Sequence, residues 1–254
     1  MTLSIERLGP KGDGIGLQSE KYAYVEGAVP GDRVKARVRM DAQGVSRGEI
    51  LEILHPSPHR QKASCIHYEK CGNCTVQHLN PAFYRQWKIE IVKEGLRKQN
   101  LRPREWLDTL FVGDHNRRRA TFSGPMLNVG SVDAYESNPG SVQSLSEAAV
   151  EKPLRAFCRD LFQNPLSRDE LNRYDAIVFD PPRAGCLAQA KSMALAKTPT
   201  LIGVSCNPAT FARDARILCD GGYRLRSMQI VDQFLWSHHV EMVGVFRKRK
   251  GHPG

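Results

Sequence analysis

The sequence predicts an α/β fold that follows a small β-barrel, and two patterns support this prediction. Residues 1–58 contain about five short strand patterns separated by glycine and proline turns, which is typical of a small closed barrel of the OB type. From residue 131 onward, apolar strand patterns alternate with helical patterns. Such alternation is typical of a largely parallel sheet that is covered by helices.

The barrel prediction depends on alternating residues and on turn signals. Strands are predicted at Lys21–Val25, 32–40 and 48–54, with a turn at 28–31. The prolines at 56 and 58 end the last of these strands, because proline cannot donate a hydrogen bond within a sheet. Small barrels of this type commonly bind oligonucleotides, although a fold alone does not establish a function.

The middle of the chain predicts a loop and one helix. Residues 59–80 form a cysteine-containing loop, and residues 81–100 are predicted to be helical. Phe83, Trp87 and Ile91 recur at the spacing of one helical face. Between 101 and 130 the only strand pattern is at 109–112.

The sequence of the C-terminal half predicts five strands and three helices in alternation. The strands fall at 132–135, Ala176–Phe179, 201–204, 223–231 and 240–246, and the helices fall at 141–150, 187–196 and 209–219. We expect the polar residues that follow these strands to carry the function, because open α/β sheets bind ligands at the carboxyl ends of their strands.

Composition narrows the classes of function. The 254 residues are 41% hydrophobic and 25% charged, as in a globular protein. No apolar run of about 18 residues and no signal-type start is present, so we expect a cytoplasmic protein without a membrane partner. The net charge is +10, and residues 1–120 hold 21 basic and 14 acidic residues. A basic surface suits nucleic acid, and a solvated basic face fits the same numbers.

The seven cysteines include one cluster, formed by Cys65, Cys71 and Cys74. An odd number of cysteines in a chain without a signal argues against a disulfide framework. Metal binding or catalysis is therefore the better interpretation of the cluster. By spacing alone, a zinc site with His67 or His78 as a fourth ligand is a competitive alternative.

Polar clusters follow two of the predicted strands, and a third polar cluster precedes the last apolar strand. Asp180 follows one strand, and Cys206 follows the next within the sequence SCNP at 205–208. Ordinary strand-to-helix turns are one interpretation, but a cysteine between serine and asparagine at a strand end is unusual for a core residue. We predict that Cys206 is a nucleophile, because a helix N-terminus favours the thiolate. Glu241 lies in the third cluster and is weak evidence when taken alone.

These three clusters resemble the uracil-C5 RNA methyltransferase family in order and spacing. The matching motifs are DPPRAG at 180–185, VSCNPAT at 204–210 and HVEM at 239–242. The resemblance implies a Rossmann-like class I methyltransferase sheet, S-adenosylmethionine as cofactor, and rRNA or tRNA as partner. It also implies that Cys206 is the nucleophile that adds to uracil C6 and that Glu241 is the general base. The target base must leave its stack to reach such a site.

The resemblance extends to the cofactor site and to the N-terminal region. It implies that Glu136 holds the cofactor ribose, that Asp160 lies near the adenine, and that Asp180 lies at the boundary between cofactor and substrate. Residues 1–58 resemble a TRAM domain, an RNA-binding barrel. The cysteine cluster resembles the iron–sulfur loop of part of the family, which implies a 4Fe–4S cluster held by Cys65, Cys71, Cys74 and a fourth ligand that is not identified.

One part of the family pattern is missing from this chain. The family has a long central segment that carries the first sheet strand and its glycine-rich loop, and residues 119–127 resemble a join across it. On this comparison well over 100 residues are absent, so we expect an incomplete sheet. The predicted regions are a TRAM-like barrel at 1–58, a cysteine loop, helix and basic linker at 59–120, and a partial methyltransferase domain at 121–254.

Three functions are compatible with these observations. The first is an RNA uracil-C5 methyltransferase, and the second is a catalytically inactive RNA-binding chain that lacks the glycine-rich loop. The third is a methyltransferase that acts on cytosine C5, which also requires a cysteine nucleophile. A monomer is the default expectation.

Overall fold

The structure, a computed structural model, describes residues 1–18, 21–71, 74–112 and 130–249. These residues form two compact units. Unit 1 contains residues 1–94, 109–112 and 230–240 as far as they are described, and unit 2 contains the remaining described residues. The predicted join at 119–127 lies outside the described residues.

The described residues form the following strands and helices: β1 (Thr2–Leu8), β2 (Gly14–Gln18), β3 (Lys21–Val25), β4 (Arg33–Met40), β5 (Ser46–His55), α1 (Tyr68–Cys71), α2 (Pro81–Lys98), β6 (Glu105–Trp106), β7 (Leu110–Phe111), β8 (Val132–Glu136), α3 (Pro139–Ala148), β9 (Leu154–Cys158), α4 (Arg168–Leu171), β10 (Ala176–Phe179), α5 (Leu187–Leu195), β11 (Thr200–Ser205), α6 (Pro208–Asp220), β12 (Tyr223–Asp232) and β13 (Glu241–Lys248).

Unit 1 contains a closed barrel of the first five strands in the order β1-β2-β3-β5-β4. Side chains that alternate along the strands, such as Leu3, Ile5 and Val34, are buried inside it, as the period of two in a strand requires. The predicted small barrel is therefore confirmed. Helix α2 (Pro81–Lys98) also confirms the helix predicted at residues 81–100.

A buried ionic network anchors α2 in unit 1. The side chains of Lys88 and Asp232 are fully buried, and the ammonium lies 2.9 Å from the carboxylate. The hydroxyl of Tyr84 donates to the same carboxylate and accepts a hydrogen bond from the backbone of Trp236 at 3.0 Å. Lys88 also donates to the carbonyl of His239. Because buried charges are costly unless they are paired, this network fixes the segment before β13 on α2.

Unit 2 is built on a sheet in the order β10-β11-β13-β12-β6. Strands β10 and β11 are parallel, whereas β13 is antiparallel to β11. The alternation of strands and helices was predicted correctly, but β6 and β9 were missed. Strand β6 has only two residues, and β9 (LRAFC) contains no fully buried residue, so neither carries a clear apolar pattern.

Strands β8 and β9 form a separate parallel pair within unit 2. Helix α3 packs against this pair, and the rings of Tyr135 and Phe157 stack with centroids 5.0 Å apart. Among the described residues, no hydrogen-bonded strand joins this pair to the larger sheet.

Helix α6 lies directly on the larger sheet because two glycines face each other beneath it. Gly203 of β11 pairs with Gly244 of β13. A Cβ atom on Gly244 would lie 2.6 Å from the ring of Phe211, and one on Gly203 would lie 3.2 Å from the same ring. The missing side chains let Phe211 approach the backbone, and this seats the helix that follows Cys206.

No helix in the part of the chain that the structure describes is long and apolar enough to cross a membrane.

We expect Gly244→Ala to lower the free energy of unfolding by about 1–3 kcal/mol, because the added methyl group overpacks the contact with Phe211. Gly130→Ala is the matched control, since no described residue comes within 4 Å of a Cβ at that position. Its effect should stay within about 0.5 kcal/mol. Urea denaturation measures both. Equal stability of the two variants would contradict the close packing of α6.

Candidate active site

The predicted catalytic residues lie at one edge of the larger sheet. Asp180 directly follows β10, Cys206 directly follows β11, and Glu241 begins β13. Phe179 pairs with Gly203, and Ser205 pairs with Met242. The register therefore places Cys206 next to Glu241 across neighbouring strands, with Asp180 at the end of the strand on the other side.

The turn that presents Cys206 is held by its neighbours. The hydroxyl of Ser205 accepts a hydrogen bond from the backbone of Asn207 at 3.1 Å. The Asn207 side chain then caps α6 by accepting from the backbone of Ala209 at 3.1 Å, and Pro208 takes the first helical position. These are the residue types that helix starts favour, so the thiol lies on a short, defined connection.

The loop after β10 is tied to the same helix. The carbonyl of Arg183 accepts from the Asn207 amide at 2.9 Å and from the Thr210 hydroxyl at 3.1 Å. Gly185 has a φ of +78°, and a Cβ there would lie 2.5 Å from the carboxylate of Asp214. Only glycine fits this conformation and this space. The Asp180 loop and the Cys206 turn are therefore one connected structure.

The pKa of the Cys206 thiol is raised above its ordinary value. Burial is the main cause, and the negative charge of Glu241 adds to it, whereas the positive charge of Arg183 acts in the opposite direction. The backbone hydrogen bond lowers this pKa, which is the direction predicted for the helix N-terminus. In this structure, removal from water and a neighbouring carboxylate outweigh the backbone.

Asp180 also has a raised pKa. Its cause is desolvation by the protein around the carboxyl group. A carboxyl group with a raised pKa beside a half-buried thiol is the kind of perturbation that clusters at functional sites.

The predicted cofactor residues Glu136 and Asp160 lie together at the end of the β8–β9 pair, apart from the sheet that carries Cys206. Oε1 of Glu136 accepts from the backbone of Asn138 at 2.9 Å and from the Ser137 hydroxyl at 3.1 Å. The hydrogen bond from Asn138 is the main cause of the lowered pKa of Glu136. Oδ1 of Asp160 accepts from the backbone of Phe162 at 2.8 Å.

Each of these two carboxylates uses one oxygen for its own loop. The hydrogen bonds from these loops reach Oε1 of Glu136 and Oδ1 of Asp160. An ionised carboxylate accepts through both oxygens. The pair therefore fits a ligand that donates hydroxyl or amine hydrogens, such as a ribose or an adenine amino group.

The predicted metal ligands Cys65, Cys71 and Cys74 are free thiols in unit 1. Within residues 1–18, 21–71, 74–112 and 130–249, no three His, Cys, Asp or Glu side chains come together to hold a metal ion. The three thiols as arranged do not fit a 4Fe–4S cluster or a zinc ion, and both sites stay predictions. His78 is buried, which lowers its pKa to about 4, and its ring contacts the Tyr68 hydroxyl at 2.5 Å.

Sequence reasoning missed the residues that support the site. Arg183 acts on the Cys206 thiol through its charge and on α6 through its carbonyl. Asp214 accepts from the backbone of Cys186 at 2.7 Å from the middle of α6. The asparagine before Pro208 was a readable cap signal, but nothing in the sequence indicates the partner of Asp214.

Comparison with known proteins identifies both regions. Residues 142–250 match the family described as tRNA (Uracil-5-)-methyltransferase, and residues 1–51 match the TRAM domain. An uncharacterized RNA methyltransferase of Brucella melitensis is 42% identical over an alignment of 410 positions, which covers 97% of this chain and 97% of that protein. This chain belongs to the RNA methyltransferase family. The predicted class of enzyme, an S-adenosylmethionine-dependent RNA methyltransferase, is confirmed at this level.

Two further proteins of stated activity are similar to this chain. The 23S rRNA (uracil(1939)-C(5))-methyltransferase RlmD of Alteromonas naphthalenivorans is 32% identical over 136 residues, which is 51% of this chain and 28% of that protein. The Pyrococcus abyssi tRNA (uracil-54, C5)-methyltransferase, solved with S-adenosyl-L-homocysteine, has a TM-score of 0.66 and 15% identity, and the match covers 97% of this chain and 99% of that chain. This last match shows the fold. Two other curated relatives align over only 32% and 38% of their own length.

We expect the rate at which iodoacetamide alkylates Cys206 to rise with pH beyond the ordinary range of a thiol, since its pKa is raised and only the thiolate reacts. Glu241→Gln should speed alkylation at pH 7–8, because it removes a negative charge that raises this pKa. Arg183→Gln should slow it. Mass spectrometry of the Cys206 peptide, with exposed Cys158 as the internal reference, measures all three. Identical rates in the two variants would contradict the proposed electrostatics.

Proposed function

We propose that this chain is an RNA (uracil-C5) methyltransferase that acts through a covalent bond between Cys206 and the target base. The observation that carries the proposal is the placement of Cys206 beside Glu241, with Asp180 on the adjoining strand end. The charges of both acids act on the thiol. The family match over residues 142–250, which includes all three positions, supports uracil C5 as the atom that is modified.

Cys206 supplies the nucleophile that uracil chemistry needs. Uracil C5 is a poor nucleophile, so the Sγ thiolate of Cys206 adds to C6. Its electron pair forms the S–C6 bond, and the C5–C6 π pair moves onto C5 and O4 as an enolate. Because the pKa of the thiol is raised, Cys206 must lose its proton before it attacks. The positive charge of Arg183 favours the thiolate at this step.

Glu241 is the base that ends the cycle. Once C5 carries a methyl group, the Glu241 carboxylate removes the remaining C5 proton. The electrons of that C–H bond re-form the C5–C6 double bond and expel the Cys206 thiolate. A carboxylate positioned beside the nucleophile performs this role as a general base.

S-adenosylmethionine supplies the methyl group when it is bound. Glu136 and Asp160 would hold its ribose and adenine through their carboxylates, since both acids lie at the carboxyl end of a parallel strand pair. Asp180 would lie between the cofactor and the uracil.

The substrate is a structured RNA, rRNA or tRNA. The TRAM match over residues 1–51 supports RNA as the partner, and the net charge of +10 favours a polyanion. A cytoplasmic location and a monomeric state stay predictions.

A central deletion relative to the family is part of this proposal. The alignment of 410 positions with the Brucella protein covers nearly all of both proteins, although this chain has only 254 residues. Among the described residues, no strand joins the β8–β9 pair to the larger sheet, which is consistent with the loss of a strand. The iron–sulfur subtype is not part of the proposal, because the three thiols do not converge.

A second candidate function is that of an RNA-binding protein that does not transfer methyl groups. The observation that favours it is the same separation: the acids suited to the cofactor and the catalytic thiol lie on different sheets. Such a chain would bind RNA and leave it unmethylated.

We expect the full chain, incubated with unmethylated rRNA or tRNA and S-adenosylmethionine, to produce 5-methyluridine, measured by mass analysis of nucleosides after digestion. Cys206→Ala should abolish the product, and Glu241→Gln should slow it about 10²–10⁴-fold. Cys219→Ala, a cysteine of α6 outside the site, is the matched control and should keep activity.

The outcomes separate the hypotheses. Formation of 5-methylcytidine instead would assign cytosine as the substrate. RNA binding without methyl incorporation above that of Cys206→Ala would establish the second candidate and overturn the proposal.

A further inference from the structure

A cluster of basic residues lies on the sheet of unit 2 at the end opposite Cys206. Two adjoining open depressions, of about 620 and 440 Å³, are lined by this basic cluster. Its members are Arg104, Arg224, Arg226, Arg247, Lys248 and Arg249.

Three strands bring these side chains together. Arg224 and Arg226 are two residues apart on β12 and therefore point to the same face of the sheet. The backbone of Arg104, just before β6, donates to the carbonyl of Leu225 at 3.1 Å, which places Arg104 beside Arg226. Arg247 lies on the exposed side of β13, where its guanidinium donates to the hydroxyl of Thr200.

The basic cluster lacks neutralising partners. Its lining includes one acid, Glu105, and among the described residues no carboxylate pairs with any of the five arginines. By contrast, Arg159 of unit 2 pairs with Glu170 at 2.6 Å, and Arg216 pairs with Asp220 at 2.6 Å.

Lys248 is held in the fold by several contacts. Its ammonium donates to the carbonyls of Ala194 and Gly221 at 3.0 and 2.7 Å and lies over the ring of Tyr223. Like charges on adjacent strands repel each other. Five arginines that no described carboxylate neutralises therefore form a surface that an anion would stabilise.

The basic cluster is separate from the catalytic edge. Arg247 pairs with Thr200 at the start of β11, whereas Cys206 follows Ser205 at the end of that strand. At about 3.3 Å per residue, the two ends of β11 lie about 17 Å apart. An anion bound to the basic cluster is therefore too far away to belong to the nucleotide whose uracil reacts at Cys206.

We propose that the basic cluster binds phosphates of the RNA backbone outside the target nucleotide. Guanidinium groups bind phosphate oxygens in pairs of hydrogen bonds, and an open, shallow surface suits a solvated chain of phosphates. This inference rests on the proposed function only for RNA as the polyanion. The basic cluster would then be an RNA-binding surface of unit 2, in addition to the TRAM barrel of unit 1.

The test measures binding of a short fluorescein-labelled uridine-containing RNA to the full chain in the Cys206→Ala background, over a series of salt concentrations. We expect R224Q/R226Q to weaken binding and to reduce the slope of log affinity against log salt by about 1.4, since each lost phosphate contact on a single strand contributes about 0.7. R224K/R226K keeps the charge and should keep most of the slope.

The matched control is R173Q/K191Q, which removes two exposed positive charges of unit 2 outside the basic cluster. It should leave the slope nearly unchanged, and circular dichroism checks that each variant is folded. Equal slopes for R224Q/R226Q and the control would overturn the proposal. Because catalysis is not measured, failure of methyl transfer leaves this result interpretable.

Discussion

The pairing of β11 with β13 is the constraint on which the candidate site depends. Its register sets Ser205 opposite Met242, and this alone brings Cys206 and Glu241 to the same edge. A slip by one residue would turn alternate side chains to the other face of the sheet. Phe211, seated on the paired glycines 203 and 244, makes such a slip costly. The packing of α6 on the sheet thus holds the register that places Cys206 beside Glu241.

The residues for addition of the thiol and the residues for methyl transfer lie in different parts of the fold. The thiol, its base and the Asp180 loop belong to one hydrogen-bonded structure, since the Arg183 carbonyl and Asn207 link the two turns. The acids suited to the cofactor lie on the separate β8–β9 pair. Addition of the thiol to uracil therefore depends only on the larger sheet of unit 2. Methyl transfer depends in addition on where the β8–β9 pair places the cofactor.

Sequence patterns predicted those features that local rules determine. The barrel, α2 and the strands ending at Phe179 and Ser205 follow from alternation, helical spacing and proline turns. The raised pKa of Cys206 was not predictable, because it comes from burial and from Glu241, a residue 35 positions away in sequence that the register brings near. The basic cluster was missed for the same reason: Arg104, Arg226 and Arg247 are distant in sequence, and the excess of positive charge pointed to the N-terminal half.

The most direct test of the assembled Cys206–Glu241 pair is exchange of the uridine C5 hydrogen with solvent in D2O, without a methyl donor. Addition of the thiolate to C6 lets C5 take a deuteron; Glu241 then removes the original proton, and the thiolate leaves. We predict that the full chain incorporates deuterium at C5 of RNA uridines, and that Cys206→Ala and Glu241→Gln do not. Exchange no faster than in Cys206→Ala, by protein that binds the RNA, would contradict the account.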